Sequence, residues 1–207
     1  MTLTSSAIIE DIKKTRKDGL ALVAYYYFDF RDSDKQNFRG LLASLLLQLS
    51  YDSDHFQEML YELYKTSDDG LERPKISVLQ KCLKTMVELP GQPLIFIVVD
   101  SLDECPSTTG PPSDRDEVLG FVENLVMSNN PNLFICTTSR PERDIYTVLN
   151  PLTSELSHVS LHEERGQRDD IENYIRHFVA TNRNMRRFRE DDKELIANTV
   201  SKRADGM

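Results

Sequence analysis

The sequence predicts an α/β protein in which helices flank a mostly parallel β-sheet. Short apolar runs alternate along the chain with segments of helical periodicity. The run LIFIVV at 94–99 is continuously apolar, which is typical of a parallel strand buried on both faces. Strands that alternate with helices in this way pair through crossover connections and form parallel sheets.

Each element of the first half has its own signal. Apolar residues at 7–12 have helical spacing, and we expect this helix to end near Gly19. Aromatic and aliphatic residues at 20–30 predict a strand. The remaining predicted elements of this half are helices at 38–49, 55–64 and 76–88, followed by the strand that begins at Leu94.

The second half begins with a polar loop rich in Pro and Ser at 106–116. After it we predict a helix at 117–127, a short buried strand at 132–138, a weaker strand at 158–161 and a helix at 169–179. Composition becomes charged and helical from about Glu163. We therefore expect two domains, an α/β core at 1–164 and a small helical appendage at 165–207.

Composition excludes several classes of protein. The chain has 207 residues and a net charge of −9, which argues against a general nucleic-acid-binding surface. Its three cysteines form neither a metal-binding pattern nor an evident disulfide framework. Membrane-spanning and secretory segments are not recognisable. We expect a cytoplasmic protein with no membrane or nucleic-acid partner.

The segment VVDSLDE at 98–104 is the strongest candidate for a functional site. A strand that ends on Asp100 delivers a carboxylate to the sheet edge where α/β proteins bind ligands. Asp100 could coordinate Mg²⁺ directly or through water. Glu104 could orient or deprotonate an attacking water, and Asp103 could assist it. The alternative is a helix cap with solvated carboxylates.

The segment TTSRPE at 137–142 follows the second buried strand. Parallel strands end at one edge of a sheet, so Ser139 and Arg140 should face the same crevice as Asp100. A guanidinium binds phosphate oxygens well, and Arg140 could therefore contact a γ-phosphate. The alternative is an ordinary exit from a strand with a surface arginine.

Together these segments resemble the NACHT-type NTPase module of the STAND class. They are similar above all to the nephrocystin-3-like N-terminal domain of large fungal proteins. The resemblance rests on SSAIIEDI at 5–12, YYYFDF at 25–30, LLASLLLQL at 41–49, the acidic segment and TTSRPE. It implies a three-layer P-loop NTPase-like fold, with residues 165–207 as the start of a helical lid subdomain.

In that family a strand and a GxxxxGK[ST] loop precede the first helix, and the loop cradles the phosphates. Thr2 stands where the Ser or Thr of this loop belongs, and Met1 stands where its Lys belongs. We therefore expect a module without its first strand and phosphate loop. The missing Lys argues against tight ATP or GTP binding by this chain alone.

The resemblance implies a nucleotide-dependent signalling switch that acts through protein partners or self-association. Asp100 would hold Mg²⁺ with ATP or GTP, Glu104 and Asp103 would act on water, and Ser139 and Arg140 would contact the phosphate end. Thr2 would complete the nucleotide contacts. The alternatives are a non-catalytic NTPase-fold scaffold for protein–protein contacts and a metal-dependent phosphohydrolase built on the three acids.

Overall fold

A computed structural model describes residues 3–16, 21–51, 53–108, 111–154, 157–159 and 165–203. The chain divides into two compact units, Met1–Leu152 and Thr153–Met207. Within the described part of the chain, no helix combines the length and apolar character that a bilayer span requires. The expected domain boundary after residue 164 stays a prediction.

The first unit contains a parallel sheet of three strands, β1 (Ala21–Tyr27), β2 (Leu94–Asp100) and β3 (Leu133–Thr137), in the order β1-β2-β3. Tyr27 is in register with Asp100, and Val99 is in register with Thr137. The three carboxyl ends therefore meet at one edge of the sheet. The predicted α/β fold with a parallel sheet is confirmed.

The helices of the first unit are α1 (Leu3–Arg16), α2 (Phe38–Ser50), α3 (Asp54–Thr66), α4 (Ile76–Glu88), α5 (Asp114–Met127) and α6 (Arg143–Leu149). The second unit contains α7 (Arg165–Thr181) and α8 (Glu190–Arg203), which pack against each other. The helix predicted at 76–88 has the expected bounds, and the helix predicted at 38–49 ends one residue later at Ser50.

The main core lies between one face of the sheet and α2, α4 and α5. Leu22 and Ala24 of β1 join Ile95 and Ile97 of β2 in this buried cluster. The leucines of α2 supply its largest block, because Leu41, Leu42, Leu45, Leu46 and Leu49 are all buried. Leu47 is exposed, so the helix buries one face in the core.

Helix α1 packs against β1 on the other face of the sheet. Ile9 is buried there, and the Lys13 ammonium lies 5.6 Å from the centroid of the Tyr25 ring. Side chains alternate between the two faces along a strand, so Tyr25 faces away from its neighbours Ala24 and Tyr26, which belong to the main core. Helices therefore cover both faces of β1.

Several boundaries differ from the sequence-based predictions. Helix α5 begins at Asp114 rather than residue 117, because Ser113 and Asp116 form a reciprocal capping box at its start. Helix α6 was not predicted as a separate element. The weak strand at 158–161 was wrong for His158 and Val159, which have no strand conformation, and residues 160 and 161 lie outside the described part. Gly19, the expected end of the first helix, also lies outside it.

Candidate functional site

Asp100 is the last residue of β2, the middle strand, and its side chain is fully buried. Its Oδ1 accepts hydrogen bonds from the Ser5 hydroxyl of α1 and from the Thr138 hydroxyl, the latter at 2.6 Å. A buried carboxylate is costly unless such donors satisfy it. Three distant segments of the chain therefore converge on one oxygen atom at the carboxyl edge of the sheet.

The backbone after Asp100 turns sharply through Ser101, which has φ 57° and ψ 47°. This left-handed conformation is unfavourable for a residue other than glycine and needs support from its surroundings. Thr138 provides part of it, because its Oγ1 accepts the Ser101 amide at 3.1 Å. The Leu102 amide also donates to the Thr138 carbonyl at 2.9 Å. Thr138 thus fixes both the buried carboxylate and the turn that follows it.

Glu104 ends a 3₁₀ turn, Leu102–Glu104, that follows this bend. Its Oε2 accepts the Phe30 amide at 3.0 Å, which anchors the carboxylate to the loop after β1. Glu104 is half-buried, so one side of its carboxylate is held by protein and the other remains accessible. A fixed, partly exposed carboxylate of this kind can hold or deprotonate a water molecule.

Asp103 faces Arg140 across the two loops. Its Oδ1 accepts the Arg140 amide at 3.0 Å, and its Oδ2 lies 3.5 Å from Arg140 Nε. The Asp103 side chain is 8% exposed, whereas that of Arg140 is 79% exposed. Ser139 is exposed beside them, and Thr2 lies outside the described residues.

An open pocket of about 410 Å³ lies at this edge of the sheet. Asp103, Glu104 and Arg140 line it together with Glu142, so the structure brings three of the predicted site residues to one surface. Asp100 is not among the lining residues and lies beneath the surface. The pocket therefore combines three carboxylates, those of Asp103, Glu104 and Glu142, with two arginines, Arg115 and Arg140.

Comparison with known proteins adds one finding to this geometry. A family model described as Nephrocystin 3, N-terminal, matches residues 2–140, which is more than half of the chain. The chain belongs to this family. The matched segment of the nephrocystin 3 N-terminal family includes all six predicted site residues, from Thr2 to Arg140. No curated protein and no solved structure matches the chain significantly.

Sequence reasoning missed two residues of this nephrocystin 3 N-terminal domain. Thr138 was noted only as part of a motif, although it contacts Asp100 directly. Arg115 of α5 is buried, and its guanidinium donates to the carbonyls of Asp103 and Cys105. It also forms a 3.1 Å ion pair with Asp144 of α6. The sequence gives one signal for Arg115. It stands among acids in the first turn of a helix, where a positive charge interacts unfavourably with the helix dipole.

Few side chains in the described part of the chain are placed to coordinate a metal ion. Among the described residues, no three His, Cys, Asp or Glu side chains cluster closely enough to hold a cation between them. The carboxylate and hydroxyl oxygens around Asp100 do suit a hard cation such as Mg²⁺, which takes one or two protein ligands and completes its shell with water and phosphate.

The cysteines are poor nucleophiles in this environment. Burial raises the pKa of the Cys105 thiol to about 12, with a smaller contribution from the negative charge of Asp114. Burial also raises the pKa values of Cys82 and Cys136. Because the thiolate is the reactive form, the raised pKa values lower the reactivity of these three thiols near neutral pH.

Proposed function

We propose that this domain is a NACHT-type module of the STAND class of P-loop NTPases, of the kind found in large fungal proteins. In this proposal it binds ATP or GTP with Mg²⁺ and acts as a nucleotide-dependent signalling switch. The observation that carries the proposal is the convergence of Ser5, Thr138 and Asp100 at the carboxyl edge of a parallel sheet. Ligands bind at this edge in open α/β sheets.

The first helix supports a phosphate site in the same place. The hydroxyl of Ser5, near the start of α1, reaches Asp100. Thr2 lies outside the described residues, and by the family resemblance it stands where the Ser or Thr of the phosphate loop belongs. A helix N-terminus also favours anions, because its first amides point outward with a positive dipole end. We assign Thr2 to the nucleotide contacts on this basis.

Each site residue then has a proposed role. Asp100 would hold Mg²⁺ as the Walker B carboxylate, and the ion would neutralise charge on the phosphates. Glu104, fixed by the Phe30 amide, holds and orients a water molecule. Asp103 assists from the neighbouring position, and Ser139 and Arg140 bind the phosphate end. In the cytoplasm, contact with protein partners or self-association of the protein would convert the bound state of the nucleotide into a signal.

Nucleotide titration calorimetry with an isosteric variant tests the proposal. We expect Mg-ATP or Mg-GTP to bind at micromolar concentration to the longest natural product of the gene, because the missing Lys argues against tight binding by these 207 residues alone. Asp100→Asn should weaken this binding about tenfold or more, since it removes the charge that holds the metal. Asp191→Asn, an exposed site in α8, is the control for loss of one negative charge and should leave binding unchanged.

A scaffold without catalytic activity is the second candidate. It is favoured by the burial of Asp100, whose Oδ1 already accepts two hydroxyl donors and so acts as a structural junction. The same titration separates the two functions. A chain that binds neither nucleotide, or that binds them equally well after Asp100→Asn, would be a scaffold; binding that depends on Asp100 would exclude this candidate.

A further inference from the structure

The contact between Asp103 and Arg140 has the form of a releasable ion pair. We propose that Asp103 is the resting counter-ion of Arg140, and that the terminal phosphate of a nucleoside triphosphate competes with it for the guanidinium. The inference rests on the proposed role of Arg140 in phosphate binding. It gives Asp103 a regulatory role in addition to the assistance to a water molecule proposed above.

The two partners differ strongly in exposure, which determines which of them moves. The Asp103 side chain is 8% exposed and is fixed by the Arg140 amide at 3.0 Å. The Arg140 side chain is 79% exposed, and its Nε is 3.5 Å from the Asp103 carboxylate. A long exposed side chain changes rotamer at little cost, whereas the carboxylate is held by the backbone. The guanidinium can therefore leave while Asp103 stays in place.

Asp103 is also held from behind by Arg115. The Arg115 guanidinium donates to the backbone carbonyls of Asp103 and Cys105, which fixes the acidic turn. Its charge is balanced by Asp144 at 3.1 Å, so it is not the counter-ion of the Asp103 carboxylate. The charge of Asp103 is therefore directed at Arg140 and at the pocket.

The pocket gives a phosphate group access to this ion pair. Asp103 and Arg140 both line the open volume of about 410 Å³, with Glu104 and Glu142 beside them. A terminal phosphate carries nearly two negative charges and three acceptor oxygens near neutral pH, against one charge on a carboxylate. It also forms paired hydrogen bonds with a guanidinium. A phosphate group that reaches Arg140 can thus displace the Asp103 carboxylate from the guanidinium. A phosphate group that does not reach Arg140 contacts only the carboxylates of the pocket.

NMR of the arginine side chain tests the proposal with inorganic tripolyphosphate as the probe. The Arg140 Nε resonance should shift on titration, and Asp103→Asn should lower the half-saturating concentration about two- to fivefold, the range for release of an exposed ion pair. Asn still offers an oxygen to the Arg140 amide. Glu142→Gln removes the same charge from the same pocket without touching the pair and should have a smaller effect. In Arg140→Gln, which has no guanidinium, the carboxyl carbon of Asp103 should no longer shift on titration.

A second measurement needs no variant. In the wild-type chain the carboxyl carbon of Asp103 should shift at the same tripolyphosphate concentration as Arg140 Nε, because both change when the pair separates. Unequal midpoints, no shift of Arg140, or equal effects of Asp103→Asn and Glu142→Gln would overturn the proposal. A normal tripolyphosphate response in a chain that does not bind Mg-ATP would support the counter-ion role and reject the proposed nucleotide switch.

Discussion

Replacement of Thr138 by valine removes one hydroxyl from the centre of the site and keeps the shape of the side chain. The hydroxyl donates to the buried Asp100 carboxylate at 2.6 Å and accepts the Ser101 amide at 3.1 Å. A hydrogen bond to a charged group contributes about 1.5–3 kcal/mol, and one between neutral groups contributes about 0.5–1.5 kcal/mol. We therefore expect Thr138→Val to reduce the free energy of unfolding by about 3 kcal/mol.

Urea denaturation monitored by circular dichroism measures this loss, and thermal unfolding should show a midpoint lower by about 6–12 °C for a chain of this size. The matched control is Thr137→Val at the last residue of β3, whose side chain points to the opposite face of the sheet. It should cost clearly less stability than Thr138→Val, because it removes no hydrogen bond to Asp100 or to the Ser101 amide. In an Asp100→Asn background the cost of Thr138→Val should fall, because the charged acceptor is gone. Equal losses from the two threonine variants would refute the assigned role of Thr138.

Three further predictions concern stability. Gly120→Ala should stabilise the chain by about 0.5–1 kcal/mol in chemical denaturation, since a Cβ in α5 meets no atom within 4 Å and alanine favours the helix. Gly40→Ala should destabilise it instead, because a Cβ there would lie 2.9 Å from the Tyr26 hydroxyl and 3.1 Å from the Asp34 carbonyl; a gain at both sites would contradict the packing around α2. The pKa of Cys105 is raised from 9.0 to about 12, so the folded state retains a proton that the unfolded state loses. The contribution of the protonated Cys105 thiol to the free energy of unfolding is complete below about pH 9. It is lost as pH rises towards 12, at up to about 1.4 kcal/mol per pH unit. Denaturation at pH 8, 9.5 and 10.5 should show a steeper fall for the wild type than for Cys105→Ser, and parallel curves would refute the linkage.

The elements that sequence reasoning located correctly are those whose signal is local. The apolar run of β2 and the leucines of α2 determine their own burial, because neither segment can be solvated at acceptable cost. The start of α5 was misplaced because its capping box uses Asp116, which reads in the sequence as part of a polar loop. Local patterns therefore predicted the layers of the fold better than the ends of its elements.

The site was harder to predict than the fold, because its contacts join distant parts of the chain. Asp100 was expected to coordinate Mg²⁺ directly or through water, which stays a prediction, and the structure adds that its side chain is buried and has Ser5 as a partner 95 residues away. Arg115 was missed since buried arginines are rare, and nothing local indicates that its partners are backbone carbonyls. Asp103 and Arg140 were each recognised, but their pairing depends on the β2–β3 register.

The long sequence separations at the site also bear on the order in which it assembles during folding. The contact between Thr138 and Asp100 spans 38 residues, that between Glu104 and Phe30 spans 74, and that between Ser5 and Asp100 spans 95. Each doubling of a loop adds about 0.6 kcal/mol of closure entropy. We therefore expect the segment of β2, α5 and β3 to form first. The contact between Ser5 of α1 and Asp100 should form last.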